Sequence, residues 1–307
     1  MSSNKSSSRN NTVRFTTVAC LSVLFLSFSA IGSSAASGSF IDSVREFFGL
    51  AIYDDAPAAA FTAGNLVVCR IGDGSTALSG ASAPIFLDEY TPGGSFVQSI
   101  ALPTSDSGAN KAITSAGSST TECQLTRSTN GSYLIVTGYD TGTATPAVAA
   151  TTGATVARVI GRIDSSGVID TSTTTTSFST QNIRAAASDN GTNLWASGSG
   201  TGVVYNTLGG SGAGTLVEST VTNIRSTNIF AGQLYISNSS ATTAQIGAVG
   251  TGLPTAISQP VTNIPGFPTN SSTNEFFFAD LDGGVAGVDT LYTADDGSGT
   301  GSSCHRG

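Results

Sequence analysis

This sequence specifies an all-β chain, and three features of it say so. Charged residues make up only 10% of the 307 positions, with Thr, Ser, Gly and Ala filling their place. Small and β-branched residues with few Lys and Glu disfavour helix and suit strands and turns. Short apolar runs alternate with turn sequences such as Asn130-Gly131, Asn190-Gly191 and Thr91-Pro92-Gly93-Gly94. Finally, one pattern recurs across 181–296. Asn182-Ile183-Arg184, Asn223-Ile224-Arg225 and Asn263-Ile264-Pro265 open three copies at steps of 41 and 40 residues. Each reaches an apolar run about a dozen residues on: Leu194-Trp195-Ala196, Leu234-Tyr235-Ile236 and Phe276-Phe277-Phe278. A period near 40 built of short strands is that of a β-propeller of four-stranded blades. A β-sandwich or another β-repeat is the alternative.

Residues 1–36 have the pattern of a secretory signal peptide. Lys5, Arg9 and Arg14 form the basic end, 18–28 the apolar stretch, and Ser34-Ala35-Ala36 supplies small residues for cleavage. The apolar stretch is shorter than the roughly 20 residues a membrane span needs, and Ser22 and Ser27 interrupt it. No later stretch is long enough, so no span is expected once the signal is removed. The expected location is secreted, extracellular or periplasmic. Removal takes three basic residues and no acidic one, making a net charge of −8 more negative. An acidic domain repels phosphate backbones, which excludes nucleic acid as an expected partner.

Residues 37–60 form a lead-in, with Asp42 placed to cap a short helix over 43–50. The repeat domain is expected over 61–299. Leu66–Ile71 is its first strand. A strand through Phe86-Leu87-Asp88-Glu89-Tyr90 turns at Thr91-Pro92-Gly93-Gly94 and returns as 95–102. Residues 156–164 and 168–170 repeat that hairpin around Ser165-Ser166-Gly167. Between the hairpins, 124–127 and 133–139 flank Asn130-Gly131, and 184–187 and 194–196 flank Asn190-Gly191 in the same way. The stretches 141–155 and 171–180, rich in Thr, Ala and Gly, read as loops. Strand pairs near Leu66, Leu134, Trp195, Tyr235 and Phe277 give about five blades.

Residues 288–296 read as a strand, and 300–307 as an irregular tail. A propeller normally closes its ring with strands from both termini, so the ring is expected to be incomplete and the chain truncated or frame-shifted. A natural five-unit ring with a frayed tail is the alternative.

The runs Gly64-Asn65-Leu66-Val67-Val68, Phe86-Leu87-Asp88-Glu89-Tyr90-Thr91-Pro92, Leu125-Thr126-Arg127-Ser128 and Phe278-Ala279-Asp280-Leu281-Asp282 resemble a group of exported bacterial β-propeller-like repeat proteins of unassigned activity. The resemblance spans most of 61–299. It implies export and a propeller-like body, and it carries over no catalytic residue.

Chemistry-bearing residues are sparse. The sole His, His305, lies in the tail, which leaves a Ser-His-acid site without a base. Gly198-Ser199-Gly200-Thr201-Gly202 lacks the Lys and helix of a phosphate loop and reads as a turn. No catalytic or cofactor-binding residue is assigned. Asp280, Asp282, Asp289, Asp295 and Asp296 crowd a Gly-rich stretch. Calcium takes oxygen ligands from such loops, but the helix-loop-helix ligand series is missing, so solvated turn-forming acids are the stronger reading. Asp88 and Glu89 are adjacent in a strand and point to opposite faces. After the signal, Cys69, Cys123 and Cys304 remain. Cys69 and Cys123 either pair in an export compartment or stay separate buried thiols. Trp195, Tyr235 and the three Phe residues read as packing between blades, with a stacking platform for sugar or peptide as the second reading. Asn130, Asn190, Asn238 and Asn270 begin Asn-x-Ser/Thr sequons.

The expected function is therefore an exported, non-catalytic binding or surface-scaffold protein with a protein or carbohydrate ligand. Two alternatives remain: a propeller-type hydrolase or lyase using carboxylates with or without calcium, and a truncated non-functional product.

Overall fold

The structure is a computed structural model that describes residues 59–239, 245–267 and 272–295, and the backbone of 303–306. The expected signal segment, the expected short helix over 43–50, Asn270 and Asp296 lie outside the described residues. Nineteen strands are present, with one 3-10 turn at Val148–Ala150 and no α-helix among the described residues.

Strands β1 (Leu66–Ile71), β2 (Ser82–Tyr90) and β3 (Phe96–Ala101) form a first antiparallel group. The first residues of β2 also pair with β4 (Thr114–Ala116). That joins the group to β5 (Thr126–Arg127), β6 (Tyr133–Tyr139), β7 (Arg158–Asp164) and β8 (Ile169–Thr175). Next come two four-stranded antiparallel sheets. One holds β9 (Ile183–Ser188), β10 (Asn193–Gly198), β11 (Val203–Thr207) and β12 (Thr215–Glu218). The other holds β13 (Ile224–Phe230), β14 (Gln233–Asn238), β15 (Ile246–Val249) and β16 (Val261–Asn263). Strands β17 (Thr273–Ala279), β18 (Thr290–Asp295) and β19 (Ser303–Arg306) make the last sheet. Within the two four-stranded sheets each strand pairs with its neighbour in sequence, as short turns dictate.

The core lies between successive sheets, and strand alternation decides which side each residue serves. Successive side chains leave opposite faces. On β10, Leu194 and Ala196 pack with Ile135, Tyr139 and Ile160 of the preceding sheet, whereas Trp195 packs with Ile224, Leu234 and Ile236 of the following one. Val203 and Val204 of β11 divide in the same way. One further cluster joins Ile85 and Leu87 to Val136 and Val159, and another joins Ile246 to Phe276, Phe278 and Leu291. A sheet covered on both faces reads as an unbroken apolar run, which accounts for Leu194-Trp195-Ala196.

Four sequence expectations need correction. The third copy of the repeat does not open at Asn263. That residue pairs with Gly247 and ends β16. Pro265 has no N–H for a new ladder, and the next sheet begins only at Thr273. Consequently Phe276-Phe277-Phe278 lies on the first strand of its sheet, whereas Trp195 and Tyr235 lie on the second. The Thr-rich stretch after Asp170 is a strand through Thr175, with Thr171, Thr173 and Thr175 fully buried on one face. Thr favours this pleated setting. Finally, the tail expected to be irregular contributes β19, whose backbone pairs with β18 from Tyr292↔Arg306 to Asp295↔Ser303. Ladder bonds come from the backbone, so a run without apolar alternation can still form them.

Candidate functional site

Strands β5, β9, β13 and β17 lie side by side in that order, and polar groups on and beside them knit one sheet to the next. Gln124 N donates to Arg184 O at 3.1 Å, Thr126 Oγ1 to Ala186 O at 2.5 Å, and Thr129 N to Ser188 O at 3.1 Å. Farther on, Thr227 Oγ1 meets Ser197 Oγ at 2.5 Å and Ser237 Oγ donates to Asn274 O at 2.9 Å. The Asn-Ile-Arg tripeptide belongs to this seam. Asn182 Nδ2 donates to Glu122 Oε1, which also accepts Tyr139 Oη at 2.7 Å. Glu122 Oε2 accepts Ser115 Oγ at 2.8 Å and Ala116 N at 2.9 Å. These four donors satisfy the buried carboxylate. Burial and the Glu122 charge push the Tyr139 phenol well up, so it remains the donor.

At the β5–β6 turn the strands frame an open depression of about 430 Å³. Its lining includes Arg127, Asn130, Asn228, Phe230 and Phe277, with no carboxylate. The turn is rigidly built. Gly131 has φ +74°, the left-handed region that Asn-Gly turns require. Its carbonyl accepts Arg127 Nη2 at 2.8 Å and Nε at 3.1 Å. Asn130 Oδ1 accepts Ser128 Oγ at 2.8 Å and Ser132 N at 3.1 Å. Phe277 is 57% exposed, a large value for an aromatic residue within a strand, and its ring meets Phe230 edge-on at 5.4 Å. Among the described residues, Arg127 Nη1 and the side-chain nitrogens of Asn130 and Asn228 have no protein partner. A second hollow of about 390 Å³ shares Leu125, Thr126, Arg127 and Gly131 and runs to Phe61–Asn65. The arrangement offers a ring to stack on, amides and one cation, and can hold a neutral or acidic ligand by stacking and hydrogen bonding.

The residues singled out from the sequence fall elsewhere. Asp289 accepts Asp282 N at 2.7 Å, Leu281 N at 3.1 Å and Thr290 Oγ1 at 2.6 Å. Asp282 accepts Gly284 N at 2.9 Å, Asp295 accepts Ser272 N at 2.9 Å, and Asp280 is exposed. These carboxylates serve turns. Among the described residues, no three His, Cys, Asp or Glu side chains converge as metal ligands. Asp88 and Glu89 do point to opposite faces. Asp88 takes Arg70 Nε at 2.6 Å and Ser99 Oγ at 2.5 Å, and the Arg70 hydrogen bond holds it below its usual range. Burial pushes Glu89 up, yet donors on Gln98, Thr62 and Asn65 outweigh it and leave the carboxyl lowered. Cys69 and Cys123 are joined, with Cα atoms 6.3 Å apart. Trp195 is buried and donates from Nε1 to Pro254 O at 2.7 Å, and Tyr235 packs on Phe278. The sequons at Asn130 and Asn190 are exposed, whereas Asn238 is buried.

Arg127, Asn130, Asn228 and Phe230 were not singled out as binding residues by sequence reasoning. The available signal was Phe277, the middle residue of three aromatics. In a strand the middle residue must face away from its two neighbours, and Phe276 and Phe278 both enter the core.

Among the described residues, no helix is long and apolar enough to cross a membrane. No family model matches the chain, and neither does any curated protein. Among solved structures, the extracellular domain of a putative one-component system from B. thetaiotaomicron aligns at 14% identity and a TM-score of 0.38. The alignment covers 72% of this chain and 28% of that one.

Proposed function

We propose that the chain is an exported β-propeller module of about five blades that binds a carbohydrate, without catalysis, in the depression at Arg127, Phe230 and Phe277. The observation that carries the reading is the exposed Phe277 ring beside the amide nitrogens of Asn130 and Asn228, which no protein group among the described residues occupies, and the cation of Arg127. Sugars present apolar ring faces and hydroxyl edges, and this lining supplies a partner for each. The propeller reading is supported by sheets buried against the one before and the one after, with β5, β9, β13 and β17 adjacent in turn. Export is supported by the pattern of residues 1–36 and by the Cys69–Cys123 bond, which suits an oxidising compartment.

A glycan array probed with residues 37–307, followed by titration calorimetry on any hit, tests this. The expected result is binding that Phe277→Ala and Arg127→Ala each weaken at least tenfold while their melting temperatures stay at the wild-type value. Hits that both variants bind at wild-type affinity, turnover of the bound glycan, or binding of extended peptides alone would each overturn the reading.

A further inference from the structure

A second polar cluster lies at the start of β9 and β13. Arg184 and Arg225 are each the second residue of their strand, β9 and β13, whereas the depression takes the last residues of β13. One hydrogen-bonded chain ties the two guanidinium groups together. Arg184 Nη1 donates to Asn223 Oδ1 at 2.9 Å, Asn223 Nδ2 donates to Ser239 Oγ at 2.6 Å, and Arg225 Nε donates to the same Ser239 Oγ at 2.8 Å.

Two guanidinium groups share this end with one carboxylate, Glu122. Arg184 is only 7% exposed, and its Nε is buried without a hydrogen-bond partner. Neither arginine is in any ion pair among the described residues. The acid whose charge Arg184 feels, Glu122, keeps that charge, but its oxygens are taken by four neutral donors and it makes no hydrogen bond to either arginine. Burial first, and then the charge of Arg225, push the Arg184 guanidinium down to about 10. Buried cations are ordinarily paired, and a single nearby carboxylate that bonds neither guanidinium leaves the two arginines with an excess of positive charge that an anion from solution would offset. Guanidinium forks match the planar or tetrahedral oxygens of such ions.

We propose that Arg184 and Arg225 together form a binding site for a small oxyanion, a sulfate, phosphate or carboxylate group. The site is independent of the Phe277 depression, and either can fail without the other.

The test is calorimetry and thermal melting of the full chain without its signal segment, titrated with sodium sulfate, phosphate or acetate at constant ionic strength. The expected result is saturable binding of one of these ions with one site per chain. Arg225→Gln is expected to weaken it at least tenfold and Arg225→Lys by less. Lys111→Gln, which removes the same charge from an exposed ion pair with Asp106, is expected to leave it unchanged. Sulfate also stabilises proteins generally by exclusion from their surface. A melting shift that does not saturate, or one of equal size in Arg225→Gln, is that general effect and overturns the proposal. So does the absence of saturable binding for all three ions. Arg225 is half-buried rather than core, so its variants keep the test decisive even where Arg184→Met fails to fold.

Discussion

Arg184 Nη1 donates to Asn223 Oδ1 at 2.9 Å, so two successive copies of the Asn-Ile-Arg tripeptide hold each other across the boundary between their sheets. The same nitrogen reaches Ile224 O at 2.9 Å. The repeat is visible in the sequence because the boundary is a repeated structural problem. Each sheet must satisfy the polar groups at the start of its first strand against the sheet before it.

Asn223 also has φ +58°, a left-handed conformation that Asn tolerates and Ala resists. Asn223→Ala therefore loses the side-chain bonds and strains the backbone, while Asn223→Gly loses only the bonds. Urea unfolding should show a loss of about 1–3 kcal/mol for Asn223→Gly, the cost of leaving buried polar groups unmatched. Asn223→Ala should lose more. Equal stability for wild type and both variants would remove the seam from the account.

The Cys69–Cys123 bond ties β1 to the segment just before β5, closing 54 residues of chain. Cross-linking a loop of this length narrows the unfolded ensemble, and its loss typically costs roughly 2–5 kcal/mol. The Cys69→Ser, Cys123→Ser double variant should melt well below wild type. Dithiothreitol should lower the wild-type melting temperature and leave that of the double variant alone. Indifference of the wild type to reductant would contradict the bond.

The hairpins were legible because their signals are local. In Asn130-Gly131 and Asn190-Gly191 each glycine takes positive φ, and both turns sit between the strands they imply. The step from Asn182 to Asn223 was legible for the seam reason given above. The third copy was misread because Asn263-Ile264 imitates the tripeptide while Pro265 cannot begin a ladder, a conflict that composition alone does not flag. Strand β8 was hidden by its polarity. Thr171 is buried with its hydroxyl donating to Lys111 O at 2.7 Å, a partner 60 residues away that no window of sequence contains. The depression was hidden for the same reason, because Arg127, Asn228 and Phe277 come from three different sheets.

Glu275 on β17 offers a titration test. It lies between Asn274, whose carbonyl accepts Ser237 Oγ, and the buried Phe276, and burial pushes its carboxyl above the ordinary value. A raised carboxyl favours the protonated folded state. Its contribution is present below the ordinary Glu range and is lost as pH rises through the elevated value. Glu275→Gln mimics the protonated form, so it should melt higher than wild type at pH 8. The difference should shrink on acidification and vanish below pH about 4, where both forms are neutral. A difference that is constant with pH would assign the effect to packing instead of charge.

Gly202 and Gly74 separate backbone conformation from crowding. Both have positive φ, +98° and +80°, in turns. A Cβ on Gly74 would meet nothing within 4 Å, whereas one on Gly202 would sit 2.1 Å from Glu218 O. That carbonyl belongs to a residue whose carboxylate is already fixed by Val221 N at 2.8 Å and Thr220 Oγ1 at 2.5 Å, so the backbone there cannot retreat freely. Gly74→Ala should cost about 1–2 kcal/mol, the price of placing an L-residue in left-handed space. Gly202→Ala should cost clearly more, because the turn and the β11–β12 pairing must both shift. Chemical denaturation of the two variants under one set of conditions reads the difference directly. If both lose the same amount, the close approach of Gly202 to Glu218 contributes nothing, and conformation alone accounts for the glycine.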